Sequence, residues 1–144
     1  MIIVVDYGMG NLGSIVNMLR KIGAPVEVSS APDIIRKAEK LILPGVGAFD
    51  HGMKNLEDLG LVDALNDVIL LREKPILGIC LGMQLFSKSS EEGTRQGLGW
   101  IDSQTVRFSF DNGMPNFKIP HMGWNTVQLR RDHPIFKNAD NREQ

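Results

Sequence analysis

Gly78-Ile79-Cys80-Leu81-Gly82 is the segment of this 144-residue chain best suited to covalent chemistry. It sets a cysteine between two glycines, each two residues away. An apolar run from Pro75 to Ile79 precedes it and reads as a strand; Leu81 to Phe86 opens a helix. G-x-C-x-G between strand and helix is the cysteine counterpart of the G-x-S-x-G nucleophile elbow. Such an elbow holds the nucleophile on a sharp, strained turn, so its neighbours two residues away must be small. The following helix is expected to point its N-terminus at the sulfur and favour the thiolate, which is the reactive form. The Leu81 N–H, just after the nucleophile, is positioned to help hold an oxyanion. The plain alternative is a small buried cysteine in a core; glycines at both elbow positions argue against it.

Two more glycine-bearing segments follow strands: Gly8-Met9-Gly10 and Pro44-Gly45-Val46-Gly47. In open parallel sheets the functional loops lie at the carboxyl ends of the strands, so the topology brings all three to one edge. Gly8-Met9-Gly10-Asn11-Leu12-Gly13 is also literally G-x-G-x-x-G, the dinucleotide-binding spacing. That reading expects an acidic residue closing the second strand. Glu27 lies inside that strand and Ser29-Ser30 end it, which argues against a dinucleotide site.

The elements that must position these loops alternate between strand and helix. Ile2-Ile3-Val4-Val5 is an apolar, β-branched run of the kind covered on both faces. Leu12, Ile15, Val16, Leu19 and Ile22 share one helical face, and Gly23 with Pro25 ends that helix. Val26 to Val28 is a short strand, Pro32 to Ala38 a short helix with proline in its first turn, and Leu41 to Leu43 the third strand. Phe49 to Leu71 is helical, with a break near Gly60. Pro75 to Ile79 is the fourth strand. Ser87 to Gly99 reads as a polar loop, and Thr105-Val106-Arg107-Phe108 and Thr126-Val127-Gln128-Leu129 alternate like antiparallel strands. The expected fold is α/β and flavodoxin-like, a mostly parallel central sheet with helices on both faces, with a short antiparallel addition after Ser87.

Composition narrows the function classes. Hydrophobic residues make up 42% of the chain, and 16 basic residues nearly balance 17 acidic ones. No basic surplus marks a nucleic-acid or anionic-membrane surface, and no apolar run approaches bilayer length. The start, Met1 to Asp6, lacks the features of a signal peptide. A single cysteine cannot form an internal disulfide, which fits a reducing, cytoplasmic setting. No His/Cys/carboxylate cluster has ligand spacing, so no metal is expected, and no organic cofactor either.

Gly78-Ile79-Cys80-Leu81-Gly82-Met83-Gln84 resembles the nucleophile motif of the class I, triad-type glutamine amidotransferases, and Pro44-Gly45-Val46-Gly47-Ala48-Phe49 resembles their oxyanion-strand segment. Asp6-Tyr7-Gly8-Met9-Gly10-Asn11 and Pro120-His121-Met122-Gly123-Trp124-Asn125 narrow the resemblance to the branch that serves imidazole glycerol phosphate synthase in histidine biosynthesis. Gly97-Leu98-Gly99-Trp100-Ile101-Asp102 and Asn11 to Ile15 also resemble a paralogous group that serves amidotransferases of bacterial surface sugars.

The resemblance implies a glutaminase spanning residues 1–144, working as a heterodimer with a cyclase or synthase subunit. Cys80 attacks the side-chain amide of L-glutamine and forms a thioester. Leu81 and the Val46–Gly47 segment supply oxyanion donors, Gly47 and Gln84 bind the substrate, and Asn11, His121, Trp124 and Asn125 lie near the partner. The same family completes its site with a histidine followed two residues later by a glutamate. The three histidines here, His51, His121 and His133, show no such spacing. The resemblance therefore implies a C-terminally truncated domain, inactive or nearly so on its own. A non-catalytic scaffold with this fold is the remaining alternative.

Overall fold

The computed structural model describes residues 1–109, 123–131 and 134–136. The chain falls into two units, Met1–Arg107 and Phe108–Gln144. The first contains every strand and α-helix found among the described residues.

Four parallel strands form its sheet: β1 (Ile2–Val5), β2 (Val26–Ser29), β3 (Lys40–Leu43) and β4 (Ile76–Gly78), in the order β2-β1-β3-β4. This is the beginning of the flavodoxin-like order, with its reversal between β1 and β3. Register is set at Ile2 opposite both Val26 and Lys40, and at Leu43 opposite Gly78. The carboxyl ends of β1, β3 and β4 therefore finish side by side.

Alternation along the strands divides the apolar residues between two faces. Ile3, Val5, Leu41 and Leu43 join one buried core with residues of α2 (Pro32–Arg36), α3 (Phe49–Asp58), α4 (Leu61–Asn66) and α5 (Leu81–Gln84). Gly60 takes a left-handed conformation and separates α3 from α4. A π-helical turn, Asp67–Leu71, continues α4 and adds Val68 to the core. On the opposite face Val4 and Ile42 are buried, and α1 (Leu12–Lys21) packs along β2. Among the described residues helices thus cover both faces, but unequally: four on one and one on the other. Leu77, level with Ile42 on that second face, is 51% exposed.

The spacing predicts Ile22 on the buried face of α1, yet it is 69% exposed. The helix ends at Lys21, and a Schellman closure follows: Gly23 donates to the Arg20 carbonyl at 3.0 Å and Ala24 to that of Leu19 at 2.9 Å. The chain leaves the helix axis at Ile22, so the helical repeat no longer governs where that side chain points.

The expected antiparallel addition is corrected. β5 (Ser89–Ser90) and β6 (Gln104–Thr105) form a two-residue parallel pair, and Thr126 to Leu129 forms no strand. Alternation marks which face of a strand is buried and says nothing about its direction. Direction is decided by the intervening loop, which folds back along the end of α5. Leu98 N–H donates to the Leu85 carbonyl at 2.8 Å, Gly99 to Ser87 at 3.1 Å and Ile101 to Phe86 at 3.0 Å. The chain therefore re-enters parallel to the strand it left.

Leu65 is fully buried in α4 against the main core. Leu65→Ala is expected to lower stability by about 2–5 kcal/mol, the range for emptying a packed leucine site, read as a reduced urea midpoint with an unchanged slope.

Candidate active site

Three loops meet at the carboxyl edge of the sheet. They follow β1, β3 and β4, and they contact one another through positions where no side chain fits. A methyl group on Gly82 would overlap the Leu43 carbonyl oxygen, and one on Gly78 would lie 2.5 Å from the Met83 Cα. A methyl on Gly45 would lie 2.9 Å from both the Gly82 nitrogen and the Leu81 Cβ, and one on Gly10 3.1 Å from the Gly45 nitrogen. Glycine in the β1 loop thus serves loop-to-loop contact with the β3 loop.

Cys80 sits at the centre of this junction, exposed, with φ 55° and ψ −119°. This is a sparsely populated conformation for a non-glycine residue, costing on the order of 1–3 kcal/mol. Its surroundings hold it there. Ile79 N–H donates to the Leu43 carbonyl at 3.0 Å, Gly82 to Ile79 at 3.0 Å, and Met83 and Gln84 to the Cys80 carbonyl at 3.0 and 3.2 Å. Against expectation, the helix that follows is a single turn of four residues. It leaves one unpaired N–H beside the sulfur, that of Leu81, rather than the dipole of a long helix, because too few peptide units are aligned.

Among the described residues the N–H groups of Val46, Gly47 and Leu81 have no hydrogen-bond acceptor. Val46 is 66% exposed, and Gly47, at φ 131°, takes a backbone conformation that L side chains rarely adopt. The buried Met9 side chain lies under Gly47. Unpaired N–H donors on two adjoining loops beside an exposed thiol form a constellation able to bind an oxygen that becomes negative as sulfur attacks a carbonyl. Gln84, one turn beyond Cys80, is half-buried, and its side-chain amide has no partner among the described residues.

The Asn11 side-chain oxygen accepts from the Ser14 N–H at 3.1 Å and caps α1. His51 is exposed on α3. Trp124 and Asn125 belong to the second unit, where the Asn125 side chain accepts from the Thr126 N–H at 2.9 Å. His121 and His133 lie outside the described residues. No group of His, Cys, Asp or Glu among the described residues could hold a metal ion, and no helix there is long and apolar enough to cross a membrane.

Several site-building residues escape a reading of the sequence. Tyr7 is fully buried, and its hydroxyl donates to the Pro44 carbonyl at 2.6 Å. Burial, together with the charge of the neighbouring Cys80, pushes its phenol well above the usual tyrosine range, so it stays protonated and remains a donor. Asn55 on α3 donates to the Tyr7 carbonyl at 2.9 Å. The loop after α5 is strapped to the start of α3. Glu92 accepts from the Phe49 N–H at 3.2 Å, and Asp50 accepts from the N–H of Thr94 at 3.0 Å and of Arg95 at 2.9 Å. Only the strand-to-loop position of Tyr7 hinted at a role; the other contacts join segments more than forty residues apart.

Gly82→Ala is expected to abolish selective alkylation of Cys80 by iodoacetamide at limiting reagent, because the elbow must open to admit the methyl group. Mass mapping of the labelled peptide checks this. Hydrogen bonds from Thr94 first, then Arg95, hold the Asp50 carboxyl below the usual aspartate range. A depressed folded-state value means that the strap contributes stability above the unfolded value, about pH 3.9, and loses it as pH falls through the lower folded one. The Thr94 and Arg95 amide resonances should therefore titrate together with a midpoint below that of a free aspartate.

Comparison with known proteins agrees with this geometry. The model of the class-I glutamine amidotransferase family matches residues 3–144. A Methanococcus maripaludis protein, imidazole glycerol phosphate synthase subunit HisH 2, is 56% identical over 138 residues, covering 96% of this chain and 67% of its own length. The Pseudomonas aeruginosa protein of the same name is 49% identical over 140 residues, covering 97% and 68%. A solved structure described as a glutamine amidotransferase superposes with a TM-score of 0.62 at 18% identity, over 77% of this chain and 59% of that one. The chain thus spans about two thirds of the length of the curated relatives it matches. By the family match and by these relatives, the chain belongs to the class-I glutamine amidotransferases.

Proposed function

We propose that this chain carries the nucleophile of a glutaminase that hydrolyses L-glutamine to glutamate and ammonia. The ammonia passes to a cyclase or synthase subunit that makes imidazole glycerol phosphate and AICAR in histidine biosynthesis, in the cytoplasm. The observation that carries the reading is Cys80, exposed and held at positive φ against the Pro44–Gly47 loop. The names of the relatives support the pathway.

In this reading the Cys80 thiolate attacks the amide carbon of glutamine. The carbonyl oxygen becomes an oxyanion facing the free N–H groups of Leu81 and of Val46 or Gly47. The C–N bond then breaks, nitrogen leaves as ammonia after taking up a proton, and a thioester remains. Water attacks the thioester through a second oxyanion and releases glutamate. Gly47 offers bare main chain to the substrate, Met9 filling the place its side chain would take, and Gln84 faces the substrate's polar end. Asn11, His121, Trp124 and Asn125 contribute to the partner surface; the Asn11 cap uses the side-chain oxygen and leaves its amide nitrogen to face outward.

The 144 residues contain no histidine followed two positions later by glutamate. Assayed with its cognate partner, this polypeptide is expected to release ammonia from glutamine roughly 100- to 10,000-fold more slowly than a glutaminase with a positioned base. Cys80→Ser should remove the residual rate and leave any ammonia-dependent synthase activity of the partner untouched. Turnover in the ordinary enzyme range, about 1–1000 per second, would sink the first expectation and point to His121 as a base.

A further inference from the structure

Tyr7 is the only tyrosine in the chain, and it is buried beneath the junction of the three loops. Its carbonyl is held by Asn55 Nδ2 from α3 at 2.9 Å, and its hydroxyl donates to the Pro44 carbonyl at 2.6 Å. Pro44 is the first residue of the loop whose next members, Val46 and Gly47, present free N–H groups. The hydroxyl also lies against Gly45: a methyl there would sit 2.5 Å from the phenol oxygen and 2.9 Å from the Gly82 nitrogen. Tyr7 therefore contacts the β3 loop at the point where that loop touches the elbow.

We propose that Tyr7 is a positioning residue for acyl transfer, its hydroxyl fixing the Pro44–Gly45 peptide so that the donors of the next two residues face the carbonyl attacked by Cys80. A peptide plane can turn over if nothing holds its oxygen, and a turned plane presents an oxygen where a donor is needed. The Pro44 carbonyl is pinned by a short, buried bond to a group that cannot ionise at neutral pH. That bond acts on the oxyanion side of the reaction and not on the sulfur itself. The inference rests on reading Cys80 as the acyl-transfer nucleophile.

The test separates the two. A γ-glutamyl p-nitrophenyl ester acylates a thiolate through an oxyanion, and its leaving group departs as a stable anion that needs no proton donor. Iodoacetamide alkylates the same thiolate by direct displacement, with no oxyanion. In the 144-residue chain, Tyr7→Phe is expected to slow the nitrophenolate burst about 10-fold, the effect of losing one buried hydrogen bond, with the ester concentration at half-maximal rate and the iodoacetamide rate unchanged. If the native chain gives no burst, the glutaminase reading fails. If it does and Tyr7→Phe bursts equally fast, or loses both reactivities in proportion, the positioning role is overturned. A tetrafluorinated tyrosine, acidic enough to ionise within the assay range even when burial raises it, labels position 7 alone, keeps its shape and guards against a folding defect. Its more acidic phenol should make the burst, but not alkylation, fall as pH rises through its ionisation. A burst with the native pH profile would again overturn the role.

Discussion

One close approach underlies the rest of this structure: the main chain at Gly82 passes so near the Leu43 carbonyl that no side chain fits between them. Leu43 ends β3 and Gly82 lies two residues past Cys80. The contact locks the exit of one strand to the turn after the next. The strain at Cys80 persists because both sides of the turn are held: Ile79 by a ladder-like bond to Leu43 before it, and Gly82 by contact after it. A strained backbone survives where its neighbours over-determine it, and here they belong to the sheet.

The sheet can do this because its core lies on one side. Ile3, Val5, Leu41 and Leu43 share that core with Phe49, Met53 and Leu56 of α3 and with Leu81 and Leu85 around α5. The helix that starts beside the β3 loop and the turn that follows Cys80 are therefore packed on the same apolar surface, and burial of that surface fixes their separation. The free N–H groups of Val46 and Gly47 lie at the solvent rim of this arrangement, where water can relieve their lack of an acceptor.

Polar contacts complete what apolar packing leaves loose. Two carboxylates tie the loop after α5 to the first turn of α3: Glu92 of the loop accepts from the Phe49 N–H at the positive end of that ten-residue helix, and Asp50 of the helix accepts from the Thr94 and Arg95 N–H groups of the loop. Trp100 donates to Asn66 at 2.7 Å and its ring lies 5.0 Å from that of Phe86, so the far end of the same loop is anchored on α4. The segment that reads as a polar loop is in fact held at both ends.

Much of this was legible in the sequence because it depends on neighbours in the chain. The apolar runs of β1, β3 and β4, the closure of α1 by Gly23, the break at Gly60 and the spacing of Gly78, Cys80 and Gly82 are all local, and local sterics decide them. The exposure of Ile22 was not legible because apolar spacing does not mark the residue at which α1 stops; the parallel pairing of β5 with β6 and the single-turn length of α5 were not legible, since each depends on where a distant segment crosses. The same holds for the roles of Tyr7, Asn55, Asp50 and Glu92. Their partners lie 37 to 48 residues away in sequence, and a hydrogen bond has no periodicity to betray it. The sequence by itself determined that a cysteine would sit on a glycine-flanked turn at the end of a parallel sheet. Only the tertiary structure decided which donors stand beside it, because loops that follow different strands meet through the packing of the sheet and not through their own residues.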